Sequence, residues 1–520
     1  MVAAGILLSR LVGLVRQAVF NRYFGLSDAA DAFTSAFRIP NLLQNLFGEG
    51  ALSASFIPVY AGLMARGERE EANRVAGAVA ALLALGVTLL VLVGVVATPA
   101  LIDLITPGFM GAKRELTITL VRILFPGAGL FVLSAWCLGI LNSHRQFLLS
   151  YAAPVFWNLV MIAALLLGRH LPLPRLAIWT AWASVLGAAV QFLVQVPPVL
   201  RLTGGLRLVL DTASAHVRTI GANFVPAFVG RGAAQLSAYV DMWLASFLPT
   251  GAVAGLTAAQ NVYMLPVSLF GMSISAAELP AMSEAAGDEA QVAGYLRARL
   301  DAGLRQIAFF VVPSALAFLA LGQMIAQVLY QGRRFTADDS RYVWGILAGS
   351  AVGLLASTMA RLYSSTWYAL KDTRTPLRFA LLRVGLTMVL GWFAALYLPD
   401  LVGAPRRWGA AGLTASAGVA GWVEFVLLRR ALNRRIGRTG VPLAVVARLW
   451  GAAAVGALAA WAVLAWAPLG HRIVQGLAVL GTYGLVYLFC TFALGVPQAR
   501  TLLARVGLGR RAAGGGGGAR

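Results

Sequence analysis

Arg10 and Arg16 stand six residues apart in SRLVGLVRQ, within an otherwise apolar stretch. On a helix that spacing is about 600° of rotation, leaving the two side chains roughly 120° apart and less than two turns along the axis. Both can border one wide cavity. Arg38 is a third such cation, in the run DAFTSAFRIPNLLQNLFGEGALSASFIPVY that starts at Asp31 and also holds Asn41, Gln44, Asn45 and Glu49. A charge at membrane depth is costly and turns toward a bundle interior or a watery cavity. A guanidinium suits phosphate oxygens because its planar fork donates paired hydrogen bonds. Three arginines on an apolar-walled cavity would suit a phosphorylated amphiphile. The plainer alternatives are an Arg10–Glu49 pair, or an Arg16 that reaches its head to an interface.

The second half of the chain offers Arg231, Asp241, Asn261, Glu278, Arg361, Arg383 and Glu424. Asp241 lies inside AYVDMWLASFL. A lone intramembrane carboxylate can bind a cation or a proton, or pair with Arg231 or Arg361. Glu278 and Glu424 lie nearer helix ends and read as solvated or structural. No zinc spacing, P-loop or nucleophile elbow occurs. Cys137 and Cys490 lie far apart in apolar segments and give neither a disulfide framework nor a metal site. No catalytic residue, cofactor or metal is expected, and the chain reads as a transporter rather than an enzyme.

The elements that would position these groups follow from composition. The chain has 520 residues, 59% hydrophobic and 12% charged, against about 25% charged for average soluble usage. Apolar segments of spanning length recur throughout. The reading is an all-α, multi-pass membrane protein of about 14 spans. The first runs over 2–21, the second over 30–63, the seventh over 219–248 and the eighth over 256–283. Pro40 and Gly48-Glu49-Gly50 predict a bent or broken second helix, which lipid tolerates only where freed backbone groups find protein or water. The net charge is +22. In a soluble protein that would suggest nucleic acid; here the excess lies in short loops and fits a positive-inside bias. The connectors near 66–74, 145, 201–218, 297–305, 371–378 and 429–438 carry it, which predicts both termini in the cytoplasm.

A repeat is visible. Ser53-Ala54-Ser55-Phe56-Ile57-Pro58 answers Ser275-Ala276-Ala277-Glu278-Leu279-Pro280 at an offset of 222, and Pro40 answers Pro266. LNSHRQF around Arg145 answers ALKDTRTP around Arg374, at an offset of 229. Six spans separate each pair, so the halves run parallel, an arrangement found in transporters with the substrate site between the repeats. The expected divisions are a first lobe over 1–200, a second over 201–436, two further helices over 437–496 and a disordered cytoplasmic tail over 497–520.

SRLVGLVRQ, the DAF…FRIPN…GEGA…FIP run, TPGF, LFPGAGLFVLSAWCLGILNSHRQF, LPVSLFGMSISAAELPAMS, YQGRRFTADD and ALKDTRTPLR together resemble the MurJ/MviN family of lipid II flippases, in the MOP exporter superfamily. The resemblance implies two six-helix lobes in a V around a cationic cavity. It also implies two C-terminal helices that form a hydrophobic groove for a lipid tail. It implies export of undecaprenyl-diphosphate-linked peptidoglycan precursor by alternating access in the bacterial cytoplasmic membrane. The coupling would be to membrane potential or to a monovalent cation or proton. Lipid II and membrane lipids are the implied partners, with no nucleic acid; a monomer is expected, working beside cell-wall synthesis proteins. By motif, Arg10, Arg16, Asp31, Arg38 and Glu49 match functional positions of the family. Gln17 stands where the family usually has an acid, and Gln44 and Asn261 where many members have arginine. Those departures imply a weaker cationic cavity. Asn41, Gln44 and Asn261 join the expected substrate-binding set, and Asp241 is the expected cation or proton group. Other MOP-type exporters of lipid-linked polysaccharide intermediates or of drugs are the alternative; a drug exporter would favour carboxylates over arginines.

Overall fold

The computed structural model describes residues 2–206, 208–285, 288–466 and 470–505, with side chains additionally undescribed at 2–7, 40, 48–50, 150–151, 227, 229–238, 503 and 505. The described residues are helical with no β-strand. In order the elements are α1 (Val2–Phe24), α2 (Asp28–Leu43), a π-helical segment (Gln44–Leu52), α3 (Ser53–Ala65), α4 (Arg69–Ile105), α5 (Gly111–Ser143), α6 (Phe147–Leu167), α7 (Leu173–Leu202) and α8 (Ala215–Ser246). They continue with α9 (Ala252–Pro266), a second π-helical segment (Val267–Met272), α10 (Ser273–Ser283), α11 (Glu289–Tyr330), α12 (Ala337–Ala369), α13 (Arg374–Leu396) and the single turn α14 (Leu398–Leu401). The last are α15 (Gly409–Ile436), α16 (Leu443–Trp466), α17 (Arg472–Ala493) and α18 (Pro497–Arg505). Among the described residues, 11 helices are long and apolar enough to cross a membrane. The first, second and seventh expected spans fall on α1, on α2 through α3, and on α8, and each includes side chains outside the described set.

The second span corrects one expectation. The helix does not break at Pro40 or at Gly48-Glu49-Gly50. It widens into a π-helix over Gln44–Leu52 and runs on into α3. A π-helix shifts the backbone bond from i→i+4 to i→i+5, so it absorbs an irregular stretch without exposing unpaired peptide groups. The matching segment of the second half does the same immediately after Pro266.

The repeat is also written in the backbone hydrogen bonds. His144, Arg145 and Gln146 donate to the carbonyls of Ile140, Asn142 and Leu141; Leu370, Lys371 and Asp372 donate to those of Thr366, Tyr368 and Trp367. Arg145 and Lys371 are the two described non-glycine residues with positive φ, each at 60°. The residue that answers Arg145 is therefore Lys371, not Arg374, and the connector offset is shorter than the sequence alignment suggested. The left-handed residue that closes the helix fixes the register.

The chain divides into two compact units. The first comprises Met1–Ala254 with Gly332–Thr336, and the second Gly255–Gln331 with Ala337–Arg520. The boundary thus differs from the one expected near residue 200. Helix α8 packs against α3, α4 and the first π-helical segment, where Phe47 meets Phe224 and Phe228. The short stretch 332–336 joins the first unit because Arg334 N donates to Arg22 O at 3.0 Å. Gly25, with φ of +61°, makes that approach possible, since a Cβ there would lie 2.6 Å from Arg334 O. The core of the first unit packs Phe20, Phe24 and Phe33 as an aromatic stack. In the second unit α12 and α15 cross so closely that a Cβ on Gly353 would meet Gly418 Cα at 2.3 Å. Helices α16 and α17 pack on α11, with Tyr483 and Tyr487 donating to Pro313 O and Phe309 O at 2.7 and 2.6 Å.

The tail expected to be disordered from 497 begins as helix α18, with Pro497 at its start and Ala499 buried. Proline suits a first helical position because the N–H it lacks would be unpaired there. Residues 506–520, including GGGGGAR, lie outside the described residues.

Candidate functional site

The three candidate arginines of the first unit have three different settings. Arg10 is exposed on α1. Arg16, less than two turns on, is half-buried, its guanidinium carbon 4.9 Å from the centre of the Trp157 ring on α6. Its Nη2 donates to Gln17 Oε1 at 3.4 Å, and Gln17 Nε2 donates onward to Asn21 Oδ1 at 3.1 Å. Arg38, on α2, is half-buried, and its carbonyl accepts from Tyr239 Oη at 3.1 Å. Its side chain acts electrostatically with Asp241 of α8. Asp241, expected as a lone cation or proton group or as a partner of Arg231 or Arg361, is thus set opposite Arg38; the Arg231 side chain lies outside the described residues.

Asp31 differs most from expectation. It was expected beside the cavity arginines. It is instead 1% exposed and engaged on both oxygens. One oxygen accepts from Lys113 Nζ at 2.6 Å and from Gly251 N at 2.8 Å, and the other accepts from Ala254 N at 2.8 Å. Those amides open α9, so Asp31 caps that helix while neutralising Lys113 of α5. A carboxylate favours the N-terminal end of a helix because the free N–H groups and the helix dipole face it. Lys113 also touches Asp28 at 3.1 Å and lies over the Phe109 ring of the TPGF turn at 4.3 Å. This reads as a structural clasp between the starts of α2, α5 and α9. Lys113, Tyr239 and Trp157 were not singled out by the sequence.

Asn41 and Gln44 are half-buried where α2 passes into the π-helical segment. The Glu49 side chain lies outside the described residues. In the second unit Asn261 is half-buried on α9. Two residues on, Tyr263 Oη lies 3.0 Å from Ser357 Oγ. Arg361 is exposed on α12. Arg383 pairs with buried Glu424 at 3.1 Å, and Arg299 pairs with Glu278 at 2.8 Å, so both glutamates have structural partners. An apolar cavity of about 370 Å³ opens between α9, α11 and α17, lined by Leu265, Pro266, Phe270, Phe318 and Leu480 among others. Among the described residues no cluster of His, Cys, Asp and Glu could hold a metal ion.

Chemically, the first unit offers guanidinium groups and amides in helices that are otherwise apolar, with one of the arginines stacked on an indole. That set can bind an anion. Residues 20–486 match the family model described as lipid II flippase MurJ. A lipid II flippase MurJ of Burkholderia cenocepacia is 32% identical over 82% of each chain. A probable lipid II flippase MurJ of Vibrio cholerae is 29% identical over 95% of each. Among solved structures, a lipid II flippase MurJ in an inward closed conformation shares the fold with a TM-score of 0.76 at 22% identity, over 95% of this chain and 98% of that one. An inward-facing multidrug MATE transporter of the MOP superfamily shares it with a TM-score of 0.64 at 16% identity, over 82% of this chain and 95% of that one. The family match crosses both repeats and takes in the stretches that hold Arg38, Asp31 and Asn261, so the chain belongs to the MurJ family of lipid II flippases.

Proposed function

We propose that this chain carries lipid II, the undecaprenyl-diphosphate-linked peptidoglycan precursor, across the cytoplasmic membrane by alternating access. The observation that carries this reading is the family match over residues 20–486, which spans both repeats. In this reading Arg10, Arg16 and Arg38 bind the diphosphate, and Asn41, Gln44 and Asn261 supply neutral donors where the substrate is polar. Arginine suits the task because it stays charged and donates a planar pair of bonds to each phosphate. The apolar cavity against α11 and α17 takes the lipid tail, which meets there side chains as apolar as the bilayer it leaves. The chain acts as a transporter, and membrane potential or a monovalent cation or proton gradient drives it.

The positive-inside bias supports an orientation with both termini in the cytoplasm. Cysteines introduced at Gly67 and Gly437 should then label from the cytoplasm and one at Gly403 from outside. Outside labelling of Gly67 overturns the orientation. Arg10→Ala and Arg16→Ala test the diphosphate site. Each removes a charge-assisted hydrogen bond worth roughly 1.5–3 kcal/mol, so each variant should reach the membrane yet fail to rescue cells depleted of their own lipid II flippase. Normal growth with both arginines replaced contradicts the site.

A further inference from the structure

Among the described residues, the side chains that touch Arg16 are neutral. Its guanidinium lies on the Trp157 indole, and Nη2 leans on the Gln17 carboxamide. Gln17 is 9% exposed and is itself held by Asn21, which is 1% exposed. Among the described residues no carboxylate lies within ion-pairing distance of Arg16. Its own Nε, Asn21 Nδ2 and, next in sequence to Trp157, Asn158 Oδ1 are buried polar atoms without a partner among the described residues. Asn158 Oδ1 also lies 3.8 Å from where a Cβ on Gly13 would be, one turn before Arg16 and Gln17. Native interiors leave few such atoms, and each one calls for an explanation such as water or a bound group. An indole face and two amides fix where the guanidinium sits without cancelling its charge. A carboxylate in place of the Gln17 amide would also hold it, and would neutralise it.

We infer that Gln17 is an affinity-determining positioning residue, holding Arg16 through a neutral relay to Asn21 so that its charge stays available to a phosphate group of the lipid substrate. This rests on the transport reading above and deepens it. The same relay accounts for how a chain with amides at Gln44 and Asn261 retains an anion site: the cavity has fewer arginines, but no carboxylate among the described residues compensates Arg16.

The test uses the full chain in lipid nanodiscs, with undecaprenyl diphosphate and undecaprenyl monophosphate as probes. Gln17→Glu keeps the length of the side chain and places a carboxylate against Arg16. It should weaken diphosphate binding ~10-fold or more, flatten its salt dependence, shrink the preference over monophosphate, and leave thermal stability unchanged or raised. Gln17→Met, which keeps volume but breaks the relay, should weaken binding less. A structural role alone predicts the reverse, with binding lost only as far as stability is lost. Wild-type-like affinity in Gln17→Glu, beside a clear loss in Arg16→Ala, overturns this inference and leaves the transport reading standing. If the wild-type chain binds neither lipid, the transport reading falls and the inference with it.

Discussion

Replacing Asp31 with alanine should be among the most damaging single changes in the first unit. The carboxylate is 1% exposed and accepts three hydrogen bonds, from Lys113 Nζ at 2.6 Å and from Gly251 N and Ala254 N at 2.8 Å each. Removing one member of a buried ion pair costs about 3–5 kcal/mol, because the other charge stays buried. The loss of an N-cap, about 0.5–2 kcal/mol alone, is contained within that figure. Asp31→Asn keeps the shape but turns an NH₂ toward a donor, which sets its cost near 1.5–3 kcal/mol. Lys113→Met should cost less than Asp31→Ala, because the carboxylate keeps both α9 amides. Lys113 has a second partner in Asp28, so Asp31→Ala leaves it only partly compensated. The assay is unfolding of the detergent-solubilised full chain for wild type, Asp31→Ala, Asp31→Asn, Lys113→Met and the Asp31→Ala/Lys113→Met double variant. The reasoning predicts a coupling well above the 0.3–0.5 kcal/mol within which independent sites add. Additive single effects, or an Asp31→Ala chain as stable as wild type, would refute it.

Gly353→Val should destabilise the second unit by about 1–3 kcal/mol, the usual cost of overpacking, because a Cβ there meets Gly418 Cα at 2.3 Å; unchanged thermal melting would contradict this packing. Lys371, at φ of 60°, has a left-handed backbone that costs an L-residue roughly 1–2 kcal/mol. Lys371→Gly should therefore melt higher and Lys371→Val lower, and equal melting of the two would contradict the assignment. The Asp372 carboxyl is held below the ordinary carboxylate range, first by the Thr375 backbone N–H and then by the Thr375 hydroxyl. A depressed folded value means this cap contributes fully above the unfolded value near 4 and fades as pH falls through the lower folded value. The melting difference between wild type and Asp372→Ala should be constant from about pH 5 to 8 and shrink below about pH 4; a difference that grows on acidification would reverse the sign.

Membrane-spanning helices and a repeat were legible because they depend on local composition and on strings that recur. The arginines of α1 were legible for the same reason: a charge inside an apolar run stands out. What escaped was set by contacts distant in sequence. Lys113 lies 82 residues from Asp31, and no periodicity links a lysine in the first turn of one helix to an aspartate in the first turn of another, so Asp31 was assigned to the cavity rather than to a cap. Pro40 and Gly48-Glu49-Gly50 signalled irregular backbone, but the choice between a broken helix and a π-helix is made where this segment packs against α5 and α8, distant in sequence. The Arg145–Lys371 equivalence was missed by three residues because side-chain similarity, not backbone conformation, governs a string match. The Trp157 face over Arg16 comes from α1 packing on α6, which no local pattern encodes.

Lipid II transport by a guanidinium site is tested by rescue of cells depleted of their native lipid II flippase with this full chain. Lipid II appearing at the outer leaflet should be assayed in the same cells. Growth and outer-leaflet lipid II are expected with the wild-type chain, and neither with Arg16→Ala present at equal membrane abundance. Wild-type chain in the membrane with no outer-leaflet lipid II, or full flipping by Arg16→Ala, would contradict it.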